Sequence, residues 1–169
     1  MRKAIALLLG LLGIGCERNT DSPPPAVELP KSGIVVTCSP NPCDKHADPT
    51  VLEPSYRYMW SYRTEVRNTL DVPLRIVWFE AFTWHGSRWV PETIAGRTLT
   101  AKDFSEWYPD GDEIIDGVIP ASGVAIDARN WHGSESPSRA PTKWAYKATD
   151  PSGTEHYAEV VVESVPIKE

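Results

Sequence analysis

Between residues 56 and 67 the side chains alternate almost one for one. Tyr56, Tyr58, Trp60, Tyr62, Thr64 and Val66 fall on one face, and Arg57, Ser61, Arg63, Glu65 and Arg67 on the other, where Met59 is the single apolar residue. A period of two predicts a half-buried antiparallel strand, because successive side chains leave a strand on opposite sides. Residues 74–84 are apolar at both parities (Leu74, Ile76, Trp78 and Phe82; Val77, Phe79 and Ala81), which predicts a central strand covered on both faces. Residues 68–73 turn the chain between these two. His85-Gly86-Ser87 breaks the second before a short hairpin partner at 88–93.

The same patterning predicts a first strand at 34–37 and later ones at 113–119, 124–131, 143–149 and 154–165. Asp150-Pro151-Ser152-Gly153 joins the last two, a turn ending in a glycine able to take a positive φ. Thr100-x-x-Asp103 has capping-box spacing ahead of Phe104 and Trp107, so one short helix is expected near residues 101–107, ended by Pro109. Strands recurring about every ten residues with turn signals between them define the fold class: all-β, an antiparallel β-sandwich of about seven to nine strands. No internal repeat interrupts this pattern.

The N-terminus breaks from it altogether. Arg2 and Lys3 precede an uncharged apolar run over 4–14, too short to span a bilayer, and Gly15-Cys16 follows. Ile14-Gly15-Cys16 resembles the end of a bacterial lipoprotein signal. The resemblance implies a signal peptide at 1–15 that is removed, and lipidation of Cys16, palmitate included. Residues 16–32 then read as a proline-rich, extended tether, with Pro23-Pro24-Pro25 and Pro30, that carries a domain at 33–169. The implied address is the extracytoplasmic face of the cell envelope, lipid-anchored to the membrane. Glu17 after the Cys resembles a lipoprotein sent to the outer membrane in Gram-negative bacteria.

Removal of 1–15 leaves 154 residues, enough for one domain and its tether. Loss of Arg2 and Lys3 leaves 15 basic residues against 23 acidic, a formal charge of −8. A chain this acidic is poorly matched to phosphate backbones, so no nucleic-acid partner is expected.

Trp144-x-Tyr146-x-Ala148-x-Asp150-x-x-Gly153, followed by Ala158, Val160 and Val162, resembles the last hairpin of an immunoglobulin or fibronectin type III-like domain. Val66-x-Asn68 before Pro73-Leu74-x-Ile76 resembles a strand–turn–strand of the same sandwiches. ApaG-type domains, themselves fibronectin-like, share the order Tyr-x-Tyr, Val-x-Asn, a glycine-marked hairpin, and punctuation such as Pro120-Ala121-Ser122-Gly123. The glycine-rich segment of that family is absent here. The resemblance spans about 56–165 and implies a fold, not an activity.

Several residues are candidates for chemistry. Cys38 and Cys43 bracket Ser-Pro-Asn-Pro; outside the cytoplasm such a pair is expected as a disulfide, worth about 2 kcal/mol for so short a loop. The alternative is zinc, with His46 and Asp48 nearby, although structural sites usually bring a second close pair of ligands. Seven tryptophans are many for this length. Trp60, Trp78 and Trp144 sit in strand patterns and are expected in the core. Trp84, His85, Trp89, Trp107, Tyr108, Trp131 and His132 fall at strand ends or in loops and are the candidate binding residues. A coplanar exposed row of Trp84, Trp89, Trp107 and Trp131 would favour a sugar, and burial a plain scaffold. Asp110, Asp112, Glu113 and Asp116 are the densest acidic patch, a Ca²⁺ candidate or a solvated turn. Ser134, His132 and Asp127 can be drawn as a triad, but no catalytic spacing recurs and no catalytic residue is assigned.

The leading expectation is therefore a lipid-anchored envelope sandwich acting as a non-enzymatic protein-interaction or structural module, with an envelope protein or glycan as partner and no required cofactor. The alternative is a carbohydrate- or small-ligand-binding module using loop Trp and Tyr, with or without Ca²⁺. A second alternative is a diverged extracytoplasmic hydrolase.

Overall fold

The computed structural model describes residues 32–46 and 56–168. The expected signal, Cys16, all of the tether but Ser32, and Asp48 lie outside the described residues. Among those described, the chain forms β1 (Ile34–Ser39), β2 (Tyr58–Asn68), β3 (Leu74–Trp84), β4 (Trp89–Pro91), β5 (Leu99–Thr100), α1 (Ala101–Trp107), β6 (Asp110–Gly111), β7 (Val118–Ile119), β8 (Val124–Ser134), β9 (Thr142–Thr149) and β10 (Glu155–Val162). A 3₁₀ turn occupies Ile94–Gly96. The strands build two antiparallel sheets, ordered β1-β2-β8-β6 and β10-β9-β3-β4, with β5 and β7 also paired to β3. This is the expected β-sandwich. Its long strands divide between the sheets as β1, β2 and β8 against β3, β9 and β10. No helix among the described residues is long and apolar enough to cross a membrane.

The core forms where the apolar parities of the two sheets meet. Trp60, Tyr62, Thr64 and Val66 of β2 are buried, and so are Trp144, Tyr146 and Ala148 of β9. Phe79 lies at the centre. Its ring stacks on Tyr146 at 5.8 Å between centroids and on Trp144 at 6.1 Å, and meets Phe104 and Tyr108 edge-on at 5.6 and 6.0 Å. Such pairs add about 0.5–1.5 kcal/mol each beyond the area they bury. Phe104 reaches Phe79 because α1 is held at its start. Asp103 accepts hydrogen bonds from the Thr100 backbone N–H and hydroxyl, each at 2.7 Å, and from the Arg97 guanidinium at 2.6 and 2.7 Å. The backbone bond is the reach-back half of a capping box.

Three expectations need correction. Residues 74–84 are not covered on both faces. Ile76 pairs with Ala148 while Trp78 pairs with Lys147, so β3 carries one extra residue at Val77. A bulge of this kind exchanges the two parities. Leu74 and Ile76 point inward before it and Phe79 and Ala81 after it, while Val77 is exposed and Trp78 half-buried on the outer face instead of in the core.

Residues 113–119 do not form one strand either. Asp116 and Gly117 take φ of 51° and 71°, which no strand accommodates, so only Val118–Ile119 pairs with β3. The third correction concerns the disulfide. Cys38 and Cys43 are free thiols. Cys38 Sγ lies 3.6 Å from Thr64 Oγ1, and Cys43 Sγ donates to the Ser61 carbonyl at 3.1 Å. The loop is anchored by backbone pairing to the end of the chain: the Cys43 N–H donates to the Glu163 carbonyl at 2.6 Å, and the Val165 N–H to the Cys43 carbonyl at 2.9 Å.

Candidate binding cleft

A second bulge builds the site. Along β2 the inward positions run unbroken through Trp60, Tyr62 and Thr64. Opposite them on β8 stand His132, Asn130 and then Asp127, so Ala128 and Arg129 together span the gap across from Arg63. The extra residue lets Asp127 share a face with Asn130 and His132, which strict alternation forbids. Asn130 Nδ2 donates to Thr64 Oγ1 at 2.8 Å, and its Oδ1 accepts the Trp131 N–H at 2.8 Å. Asp127 Oδ1 accepts the Arg129 N–H at 2.9 Å.

These residues line a cleft of about 490 Å³. Trp107, the last residue of α1, and Trp144 of β9 form one corner, their rings at 80° and 6.4 Å apart. Trp131 and Tyr56 form another, at 65° and 6.1 Å. Ile94 of the 3₁₀ turn, Glu92, Arg129, Gly133 and Arg139 complete the lining. Glu92 is placed by a β4-like bond from its N–H to the Ala81 carbonyl at 2.9 Å. Its carboxylate accepts the Thr83 hydroxyl at 2.5 Å and is paired with Arg139. Arg139 also donates to the Gly133 carbonyl and, at 3.3 Å each, to the Thr83 and Thr142 hydroxyls.

Burial sets the electrostatics. It raises the Asp127 carboxyl above the ordinary value, an effect offset in part by the Arg129 N–H and side chain. It pushes His132 down to about 3, helped by the neighbouring Arg139, so that ring is neutral at pH 7. His132 packs against Trp60 and Tyr62, and its Nε2 shares a 2.5 Å hydrogen bond with Ser164 Oγ. Its Nδ1 is buried without a hydrogen-bond partner among the described residues.

The candidate binding residues divide. Trp107, Trp131 and His132 meet at the cleft. Tyr108 is interior and shares a 2.5 Å hydrogen bond with Tyr146. Trp84 and Trp89 pair edge-to-face at 5.2 Å on the β3–β4 hairpin and do not line the cleft; Trp84 is buried, and His85 is exposed beside it. No coplanar exposed row of four tryptophans forms. The drawn triad is not assembled, since His132 bonds Ser164 while the Ser134 hydroxyl donates to the Ser138 carbonyl at 3.2 Å.

In the acidic patch Asp112 accepts the Val124 N–H at 2.7 Å, and the Asp116 carbonyl accepts from Arg75 at 3.0 Å. Among the described residues no three His, Cys, Asp or Glu gather where they could hold a metal ion, so neither the calcium set around Asp110 and Glu113 nor the Cys38, Cys43 and His46 set is brought together there. The cleft residues that sequence reasoning passed over are Tyr56, Glu92, Arg129, Asn130 and Arg139. Arg129 and Asn130 follow from the bulge, which is invisible until β2 and β8 are paired, and the other three come from segments far apart in the chain.

No family model matches this chain, and neither does any curated protein. Among solved structures it is similar to one described as the ApaA protein from Bordetella pertussis, at 12% identity and a TM-score of 0.46, over 80% of this chain and 97% of that one. It is also similar to the structural genomics target SoR45, at 12% identity and a TM-score of 0.45, over 83% of this chain and 94% of that one.

Proposed function

We propose that this protein is a lipid-anchored, extracytoplasmic module of the bacterial cell envelope that binds a small ligand in the cleft beside β8 and carries out no chemistry on it. The observation that carries the binding part is the convergence on one cleft of Trp107, Trp131 and Trp144 with the half-buried Asp127. Its volume of about 490 Å³ falls within the range of small-molecule sites, and aromatic rings set among placed polar groups are what such sites use to bind and orient a ligand. A concave site of this kind favours a small ligand over the flat protein contact expected first.

The non-catalytic part is supported by the state of His132. A general base needs a group that orients its second ring nitrogen, and His132 Nδ1 has none among the described residues. Its low pKa also leaves it a weak base. The anchor rests on Ile14-Gly15-Cys16 and the apolar run before it.

Two measurements test the reading. In a thermal-shift screen of a general metabolite library, at least one compound should raise the Tm of the wild type and fail to raise that of Trp131→Ala. An empty screen would sink the cleft as a binding site. Metabolic labelling with palmitate should mark the wild type and not Cys16→Ser; equal labelling would remove the anchor.

A further inference from the structure

We infer that the ligand of the cleft is a short, uncharged saccharide; this rests on reading the cleft as a small-ligand site. The argument runs through its charges. Glu92 and Arg139 are both turned inward on the protein: the guanidinium serves Glu92, Thr83, Thr142 and the Gly133 carbonyl, and the carboxylate also takes the Thr83 hydroxyl. That pair is wall, with little left to offer a ligand. Asn130 spends its amide on Thr64 and on the Trp131 N–H. His132 is neutral and holds Ser164.

What stays open is one carboxylate and one guanidinium. Asp127 Oδ2 makes no hydrogen bond among the described residues, and the exposed Arg129 side chain donates none there. The two stand two residues apart on one bulge and both line the cleft, so its open charges are one of each sign. An anion drawn to Arg129 would also face the Asp127 carboxylate in the same cleft. A quaternary ammonium, the usual guest of an aromatic cage, would face Arg129 in the same cleft as Asp127.

The chemistry that fits is neutral, with an apolar face and many hydroxyls. A pyranose ring lays its C–H face on an indole, and its hydroxyls donate to a carboxylate and accept from a guanidinium. Trp107, backed by the buried Trp144, and the Trp131–Tyr56 pair supply the rings at two corners of the cleft, with Asp127 and Arg129 on the strand that runs beside them.

The test uses the full-length protein in a detergent without a sugar headgroup. Isothermal titration and tryptophan fluorescence are recorded with cellobiose, maltose and N,N′-diacetylchitobiose, with choline as a cationic probe and glucuronate as an anionic one. At least one neutral disaccharide should saturate the protein, with an affinity that changes by no more than about twofold between about 0.05 and 0.5 M salt. Asp127→Asn and Trp131→Ala should each weaken it about tenfold, the scale of one lost charge-assisted hydrogen bond or stacked ring. Trp131→Phe, which keeps a ring, should recover most of that loss and guards against misfolding of the alanine variant. Saturation by choline or glucuronate and by no disaccharide would overturn the saccharide while leaving the cleft as a ligand site. No binding by any disaccharide overturns it too, and the metabolite screen then decides the cleft separately. Disaccharide binding untouched by both substitutions would place the site elsewhere and overturn the inference.

Discussion

Tyr108 and Tyr146 meet hydroxyl to hydroxyl at 2.5 Å in the interior of the sandwich, and neither hydroxyl has another hydrogen-bond partner among the described residues. Both side chains are fully buried and both pKa values stand well above 10, burial being the first cause in each. One hydroxyl comes from the residue after α1 and the other from β9, so this bond ties the end of the helix to the sheet that carries β3 and β9.

Removing one partner should therefore cost more than half of removing both. Tyr108→Phe or Tyr146→Phe alone strands a buried hydroxyl, expected to lower stability by about 1–3 kcal/mol. The double Phe variant strands nothing and should lie close to the wild type. A denaturant double-mutant cycle measures the coupling; additive losses would show that water already serves each hydroxyl.

The thiols make a second expectation. Burial pushes Cys38 up to about 12, and Cys43 is raised for the same first reason. The thiolate is the reacting form, so alkylation of the native protein at pH 8 should be far slower than alkylation of the denatured chain without reductant. Mass spectrometry should find both cysteines modified after denaturation. Both protected at that stage would restore the Cys38–Cys43 disulfide that the hydrogen bonds to Thr64 and Ser61 argue against.

The fold was legible from local alternation and the site was not. β2 announces itself through Tyr58 to Val66, and Thr100 with Asp103 announces α1, because both signals lie within a few residues. Trp78 and Asp127 defeat the same reasoning. Each sits at a bulge, and a bulge is a property of two paired strands: Val77 is extra only against β9, and Ala128 with Arg129 only against Arg63. The cleft compounds this, since its walls come from residue 56 through residue 144 and no window of the chain contains them. The failed strand at 113–119 has a local cause that was readable, the Asp116-Gly117 pair, which favours positive φ over extension.

His132 should contribute to the acid sensitivity of the fold between pH 6 and pH 4. Its folded pKa, down to about 3 through burial and then Arg139, lies below the ordinary 6.5, so the unfolded chain binds the extra proton. Stability is then fully present above the ordinary histidine value and is lost as pH falls from there toward 3, by at most about 1.4 kcal/mol per pH unit. His132→Asn should start less stable at pH 7, having lost the Ser164 bond and packing, but should fall less steeply between pH 6 and pH 4. Chemical denaturation at several pH values checks the slope; parallel curves would mean that His132 is protonated in the native state.

Asp127 is expected to run the other way and to separate binding from stability. Burial raises its folded pKa above the ordinary carboxylate value, so at neutral pH the native state holds a charge that its surroundings disfavour. Asp127→Asn should therefore match or exceed the wild type in stability at pH 7, by up to about 1 kcal/mol once the solvent reaching this half-buried group is allowed for. The sign follows from linkage. The cost of the carboxylate is present above its raised folded value and vanishes as pH falls to the ordinary carboxylate range, where both states are protonated. The two melting curves should thus converge on acidification, while disaccharide binding stays weakened at every pH where Asp127 is charged in the wild type. A variant clearly less stable than the wild type at pH 7 would instead make Asp127 a structural partner of the Arg129 N–H, and would remove the reason to read it as a ligand contact.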